Sequence, residues 1–122
     1  MFAENLAKAF TGSYYNQFNT NKANLRSFYR PESMLTFTGN PCQGPDAIIA
    51  QFSSLPPCTA NVLSVAAQEN KVTKGAIIVV NGDLQLTSGG KTKFVETFFL
   101  NPVDGAAGQF FILNHIFRIQ NV

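Results

Sequence analysis

Phe2, Leu6, Phe10, Tyr14 and Phe18 recur every four residues in FAENLAKAFTGSYYNQF, which keeps them on one slowly drifting stripe of an α-helix. Glu4, Lys8 and Gln17 take the polar side, and NTNK ends the pattern, with Asn21 placed to cap the next segment. KANLRSFY brings Leu25, Phe28 and Tyr29 back at helical spacing until Pro31, which disfavours α geometry in the residue before it. In SMLTFT, Met34 and Thr36 alternate with Leu35 and Phe37, and Gly39, Asn40 and Pro41 predict a reversal. GPDAIIAQFSSLP predicts a third short helix: Pro45 suits its first turn, Ile48, Ile49 and Phe52 form its stripe, and Pro56-Pro57 ends it.

From Asn61 the period changes to two. NVLSVAAQEN, GAIIVVNGDLQLTS, KTKFVETFFLNPV and GQFFILNHIFRIQ are rich in Val, Ile and Phe and read as four long antiparallel strands. Asn81-Gly82 lies inside one run and predicts a bulge, whereas Asp104-Gly105 lies between two and predicts a turn. Helices first and strands last give one α+β domain over residues 1–122, a strongly curved, antiparallel-rich sheet wrapped around three helices of the N-terminal half. In the last strand Phe111, Leu113, His115, Phe117 and Ile119 are expected on one face and Phe110, Ile112, Asn114, Ile116 and Arg118 on the other, so both faces are largely apolar. Helices cover only one face of a sheet, which predicts a homodimer joined through the sheet, with Phe94, Phe98, Ile112 and Ile116 as interface candidates.

Composition narrows the partners. Hydrophobic residues make up 45% of the 122 positions and charged residues 13%, which excludes a disordered chain. The formal charge is +2 and the lysines are dispersed, so no nucleic-acid partner is expected. GAIIVV and FFIL fall far short of the roughly 20 apolar residues that cross a bilayer, and no membrane insertion is expected. No secretory leader is recognised, and Cys42 and Cys58, each beside a proline, are expected as free thiols in a reducing compartment.

Chemistry is sparse. His115 is the single histidine; a nearby carboxylate would make it a general base, but spacing marks no second catalytic group, and a satisfied histidine is the plainer expectation. Glu96, flanked by Phe94 and Phe98, is expected to pair with a cation across the dimer. One histidine and two loop cysteines do not make a metal site, and GNPCQGP has neither phosphate-binding spacing, so no metal or cofactor is expected. Twelve phenylalanines without a tryptophan exceed the evident need of one small core. Phe37 at a strand end and Phe2 at the start of the chain are therefore read as aromatics that face a partner.

YYNQF, LRSFYRPESMLTFTG, QG, SSLP, GDL and NHIFRI together resemble, almost end to end, the nuclear transport factor 2 family. The resemblance implies a cone-shaped α+β fold, a homodimer and a carrier that catalyses nothing. It implies binding of Phe-Gly repeat nucleoporins through Phe2 and Phe37, held between subunits, and import of the GDP-bound form of the small GTPase Ran. Ran would enter a cavity at Thr38, Leu55, Thr87, His115 and Phe117. The resemblance also implies residence in cytoplasm and nucleus, concentrated at the pore. This chain has Thr38 where the family usually has an acidic residue, Thr87, Ser88 and Gly89 where it has an acidic pair, and His115 before IFR where it has another acid. Basic side chains of Ran would lose partners there. A dimeric adaptor with a different partner, or an isomerase or dehydratase built on His115, are the alternatives.

Overall fold

The computed structural model describes residues 2–120. Helix α1 (Phe2–Thr20) buries Ala3, Ala7, Phe10, Tyr14, Tyr15 and Phe18. Steps of four residues drift by about 40° each on a helix of 3.6 residues per turn. Over the first two turns the inward positions have therefore passed to Ala3 and Ala7, leaving Phe2 43% exposed. Asn21 caps the next segment by accepting from the Ala23 amide at 3.1 Å. That segment, Lys22–Phe28, is a 3₁₀ turn rather than an α-helix, and Tyr29, expected inside it, begins β1 (Tyr29–Phe37). The reversal at Thr38-Gly39 leads into a short strand β2 (Asn40–Gln43), where only a turn is expected from Asn40 and Pro41. Helix α2 (Pro45–Ser53) comes next, with Pro45 in its first turn, and Ile48 and Phe52 buried.

The four long runs form β3 (Cys58–Asn70), β4 (Gly75–Leu86), β5 (Lys91–Pro102) and β6 (Phe110–Ile119). The sheet order is β2-β1-β6-β5-β4-β3, antiparallel except for β1 beside β6. It curls without closing, giving the cone-like α+β fold with the helices on its inner face. Between Val62 and Ser64 the register with β4 shifts, opposite Gly82 and Asn81, so the irregularity expected at Asn81-Gly82 falls there, with Leu63 as the extra residue on the neighbouring strand. Gly82 is required by close approach: a Cβ there would lie 2.3 Å from the Asn61 carbonyl oxygen.

A second bulge decides which side chains enter the core. Phe99 pairs with Asn114 but Leu100 with Ile112, which leaves Leu113 extra and turns Ile112 inward beside His115 and Phe117. Simple alternation places Ile112 outside, and the bulge reverses that. Phe94 and Phe98 also face the helices; Phe98 packs its ring against Phe10 and Tyr14 at 4.9 and 5.0 Å. These three interface candidates are fully buried within one chain and have no surface to offer a second. Ile116 alone of the four lies outside, 53% exposed, on a face it shares with Ile77, Val79, Val95, Thr97 and Phe99.

Candidate functional site

At one end of the cone, four segments meet. The Thr38 amide donates to the Phe117 carbonyl at 2.8 Å, and the Ile119 amide donates back to Thr38 Oγ1 at 3.3 Å. These bonds hold Thr38 in the left-handed region, at φ 43°. The loop after α2 meets the β4–β5 hairpin through the Thr87 amide and the Pro57 carbonyl, 2.9 Å apart. Thr38, Leu55, Thr87 and Phe117, distant in sequence, are thus drawn toward one end of the curled sheet, the mouth of the cone, where Phe117 itself is fully buried. Phe37 joins them from within: it is 8% exposed, with its ring 5.1 Å from Phe117 and 6.2 Å from Phe52. The expectation of a partner-facing Phe37 is corrected, because β1 lies inside the sheet and its inner face is roofed by α2. Leu55 is half-buried against the same cluster, and Thr87 is exposed. The rim carries no carboxylate at Thr38, Thr87 or Ser88, and on the outer face Asp83 is held by Lys93 at 3.4 Å and Lys91 at 4.0 Å.

His115 is not at this mouth but deeper. It is 2% exposed and its Nε2 stands 2.6 Å from Glu96 Oε2. Tyr15 donates its hydroxyl to Glu96 Oε1 at 2.6 Å, His115 Nδ1 lies 3.0 Å from the Tyr29 hydroxyl, and that hydroxyl is 3.4 Å from Tyr14. Glu96, expected to meet a cation from a second chain, instead finds its partners on β6 and α1 of its own chain. A chain of donors and acceptors thus crosses the core from α1 through β5 and β6 to β1. Burial raises all three tyrosine hydroxyls above their ordinary pKa of 10.0, and the Glu96 charge raises them further. Every polar side-chain atom of Glu96 and His115 has a partner and neither side chain meets solvent, so the set ties helix to sheet and leaves no room for a substrate. A carboxylate between two phenylalanines on an inward-facing strand was the available signal. The tyrosines gave none, because their spacing is that of ordinary core positions.

Phe2 lies at the opposite end of α1 from the mouth, its ring 6.0 Å from Phe110. It lines a hollow of about 180 Å³ with Ala3, Glu4, Ala67, Gln68 and Glu69. A second hollow of about 210 Å³ continues along α1, between Ala7, Lys8 and Thr11 and the β3 residues Val65 and Ala67. A further concavity, about 260 Å³ at Ala66, Gln68, Ile77 and Val79, shares Ala67 and Gln68 with the Phe2 hollow and opens on the outer face. A more polar groove of about 650 Å³ runs between α1 and the 3₁₀ turn, lined in part by Ser13, Gln17, Asn24 and Arg26. Cys42 and Cys58 are free thiols whose pKa burial raises, which makes both poor nucleophiles. No described helix is long and apolar enough to cross a membrane.

Comparison with known proteins places this geometry. Nuclear transport factor 2B of Arabidopsis thaliana is 37% identical over 93% of this chain and 91% of its own. Nuclear transport factor 2 of Oryza sativa subsp. japonica is 36% identical over 98% of both chains. The solved structure of nuclear transport factor 2 from Cryptosporidium parvum superposes with a TM-score of 0.85 at 33% identity, covering 95% of this chain and 93% of that one. The family model described as the nuclear transport factor 2 domain matches residues 6–119. With a matching family model over nearly its whole length and the same curled sheet around three helices, the chain belongs to the nuclear transport factor 2 domain family.

Proposed function

We propose that this chain is a homodimeric nuclear transport carrier that binds Phe-Gly repeats of nucleoporins and brings the GDP-bound form of Ran into the nucleus. The observation that carries the reading is the near end-to-end likeness to relatives that bear the name nuclear transport factor 2. An uncovered apolar patch supports the dimer: Ile116 and Ile77, with Phe99 and Val79 between, lie on the sheet face away from the helices. Phe2 supports repeat binding, since it is an exposed aromatic beside a hollow that adjoins, through Ala67 and Gln68, a concavity on that same patch, where a second copy would complete the site. Leu55 offers a half-buried apolar side chain at the mouth, above the buried rings of Phe37 and Phe117, for an incoming side chain of Ran, with Thr38 and Thr87 beside it. The buried Glu96–His115 pair favours a carrier over an enzyme, because a catalytic base must reach its substrate. Such a carrier would move between cytoplasm and nucleus and concentrate at the pore.

The uncharged rim at Thr38, Thr87 and Ser88 favours one other reading, an adaptor of the same fold that keeps the dimer and repeat site but has exchanged the GTPase. Titration calorimetry with Ran-GDP and Ran-GTP separates the two. Heat with the GDP form alone supports the carrier. Binding of neither form, with repeat binding intact, replaces it by the adaptor.

A further inference from the structure

The charged side chains are unevenly spread over the cone. Of nine basic and seven acidic side chains, the mouth end holds Lys22, Lys91, Lys93 and Arg118 against a single carboxylate, Asp83. Lys91 begins β5, Arg118 lies at the end of β6 and Asp83 near the end of β4, so the register of the sheet brings them to the same end. Lys22 reaches it from the helix side, its Nζ 4.4 Å from the ring centre of Phe18, which packs in turn on Phe52 and Phe117. The other acids are elsewhere. Glu4 and Glu69 line the Phe2 hollow, Asp104 lies in the turn between β5 and β6, and Glu32 stands in the early part of β1. Asp46 is held by Arg26, and Glu96 is shut in the core. The excess of positive charge therefore sits at the mouth end.

On the outer face of the sheet three of these cations form a compact lip. Lys93 stands opposite Asp83 and diagonal to Arg118, which is opposite Val95; diagonal neighbours of this kind lie about 7–8 Å apart. Asp83 is enclosed between Lys93 at 3.4 Å and Lys91 at 4.0 Å, its side chain only 13% exposed, whereas both lysines are exposed. One carboxylate balances one of the two ammonium charges and leaves the other over. Among the described residues Arg118 meets no carboxylate. Asn81, Gln85, Thr87 and Ser88, around the cluster, are exposed and uncharged, so they offer hydrogen bonds and no competing charge.

We propose that this lip docks an acidic segment of a partner protein, whose alternate carboxylates pair with Lys91, Lys93 and Arg118. Two residues apart on one strand face, Lys91 and Lys93 stand roughly 7 Å from each other, which is also the spacing of alternate side chains in an extended peptide. An acidic segment laid along β5 therefore meets both, and the Arg118 guanidinium offers a planar fork to a further carboxylate. A polynucleotide fits less well, because Asp83 in the middle of the cluster repels a continuous row of phosphates and the basic stripe is short. Exposed pairs are individually weak, so the lip acts through their number, and through attraction of the segment from a distance. The proposal goes beyond the carrier reading: it adds an acidic ligand beside the mouth and does not depend on which GTPase the mouth receives. The lip lies to the mouth side of Ile116 and Val79, so a dimer joined through those residues carries one lip per copy.

The test is fluorescence anisotropy at low salt with a labelled peptide in which aspartate alternates with serine, beside a version with asparagine for aspartate and a single-stranded oligonucleotide of equal charge. The acidic peptide is expected to bind at least about tenfold more tightly than the asparagine version, and to lose affinity severalfold as salt rises from about 50 to about 200 mM. Lys91→Gln with Arg118→Gln, which leaves Lys93 on Asp83, is expected to weaken it about fivefold. Asp83→Asn releases both lysines and is expected to strengthen it about twofold to threefold, a gain that a misfolded variant does not give. Lys71→Gln with Lys74→Gln, at the other end of the sheet, is expected to change it by less than about twofold. Absence of binding by the acidic peptide, or equal loss in the two double variants, overturns the proposal. Tighter binding of the oligonucleotide assigns the lip to nucleic acid and overturns it as well. So does a dimer that comes apart when Lys91 and Arg118 are replaced, since the lip then belongs to a second copy. The carrier reading is untouched by these results, because Ran and Phe-Gly titrations read it separately.

Discussion

His115 Nε2 stands 2.6 Å from Glu96 Oε2 in the centre of the core, with both side chains shut off from solvent. The pair joins β5 to β6, while Tyr15 on the carboxylate and Tyr29 on the imidazole carry the connection to α1 and β1. It lies directly beneath the aromatic cluster of the mouth, since the His115 ring is 6.0 Å from Phe52 and 6.3 Å from Phe117.

Breaking this pair from one side strands the other group in an apolar interior. Glu96→Leu is expected to cost about 3–5 kcal/mol in urea unfolding. Adding His115→Leu should recover a large part of that loss, because two apolar residues need no partner. A double variant as unstable as the sum of the singles would show that the two groups do not act together.

Tyr14, Tyr15 and Tyr29 are all the tyrosines of the chain, and each hydroxyl is raised above 10.0 chiefly by burial, with the Glu96 charge adding to it. The unfolded chain ionises its tyrosines near pH 10, while the folded chain keeps them neutral. Their contribution to stability is thus complete below about pH 10 and falls as pH rises above it. Tyrosinate absorbance should appear only together with loss of circular dichroism. A tyrosine ionising near pH 10 in the intact fold would contradict the buried network.

Phe37 and Phe2 separate in a stability measurement. Phe37→Ala removes a ring packed on Phe52 and Phe117 and is expected to cost about 3–5 kcal/mol. Phe2→Ala, at a position 43% exposed, should cost less than about 1 kcal/mol while weakening Phe-Gly peptides. Chemical denaturation beside a peptide titration reads both effects, and similar destabilisation by the two would refute the assignment.

Ile116→Lys places a charge in the middle of the uncovered outer face. Analytical ultracentrifugation is expected to show a shift from dimer to monomer, with the unfolding midpoint of the monomer nearly unchanged. If Ile116→Lys remains a dimer, the sheet face is not where the copies meet.

Periodicity alone located most of the elements, because burial on one side leaves a mark every two or four residues. Phe10, Tyr14 and Phe18 announce α1, and the alternation of Phe94, Glu96, Phe98 and Leu100 announces the inward face of β5. Ile112 shows the limit: one extra residue at Leu113 turns it inward, and nothing in FFILNHIF marks the bulge. Phe37 shows another. Strand-end position suggests exposure, but the roof over it comes from α2, which packs there only once the sheet has curled.

The amino-acid order determined the sequence of helices and strands, the amount of apolar surface to be covered and the near absence of candidate catalytic groups, since each depends on residue type and local spacing. Tertiary structure decided which carboxylate meets His115, which aromatics remain at the surface and which strand is left with an open edge. Those outcomes depend on groups far apart in the chain, brought within a few ångströms only by the register and curl of the sheet.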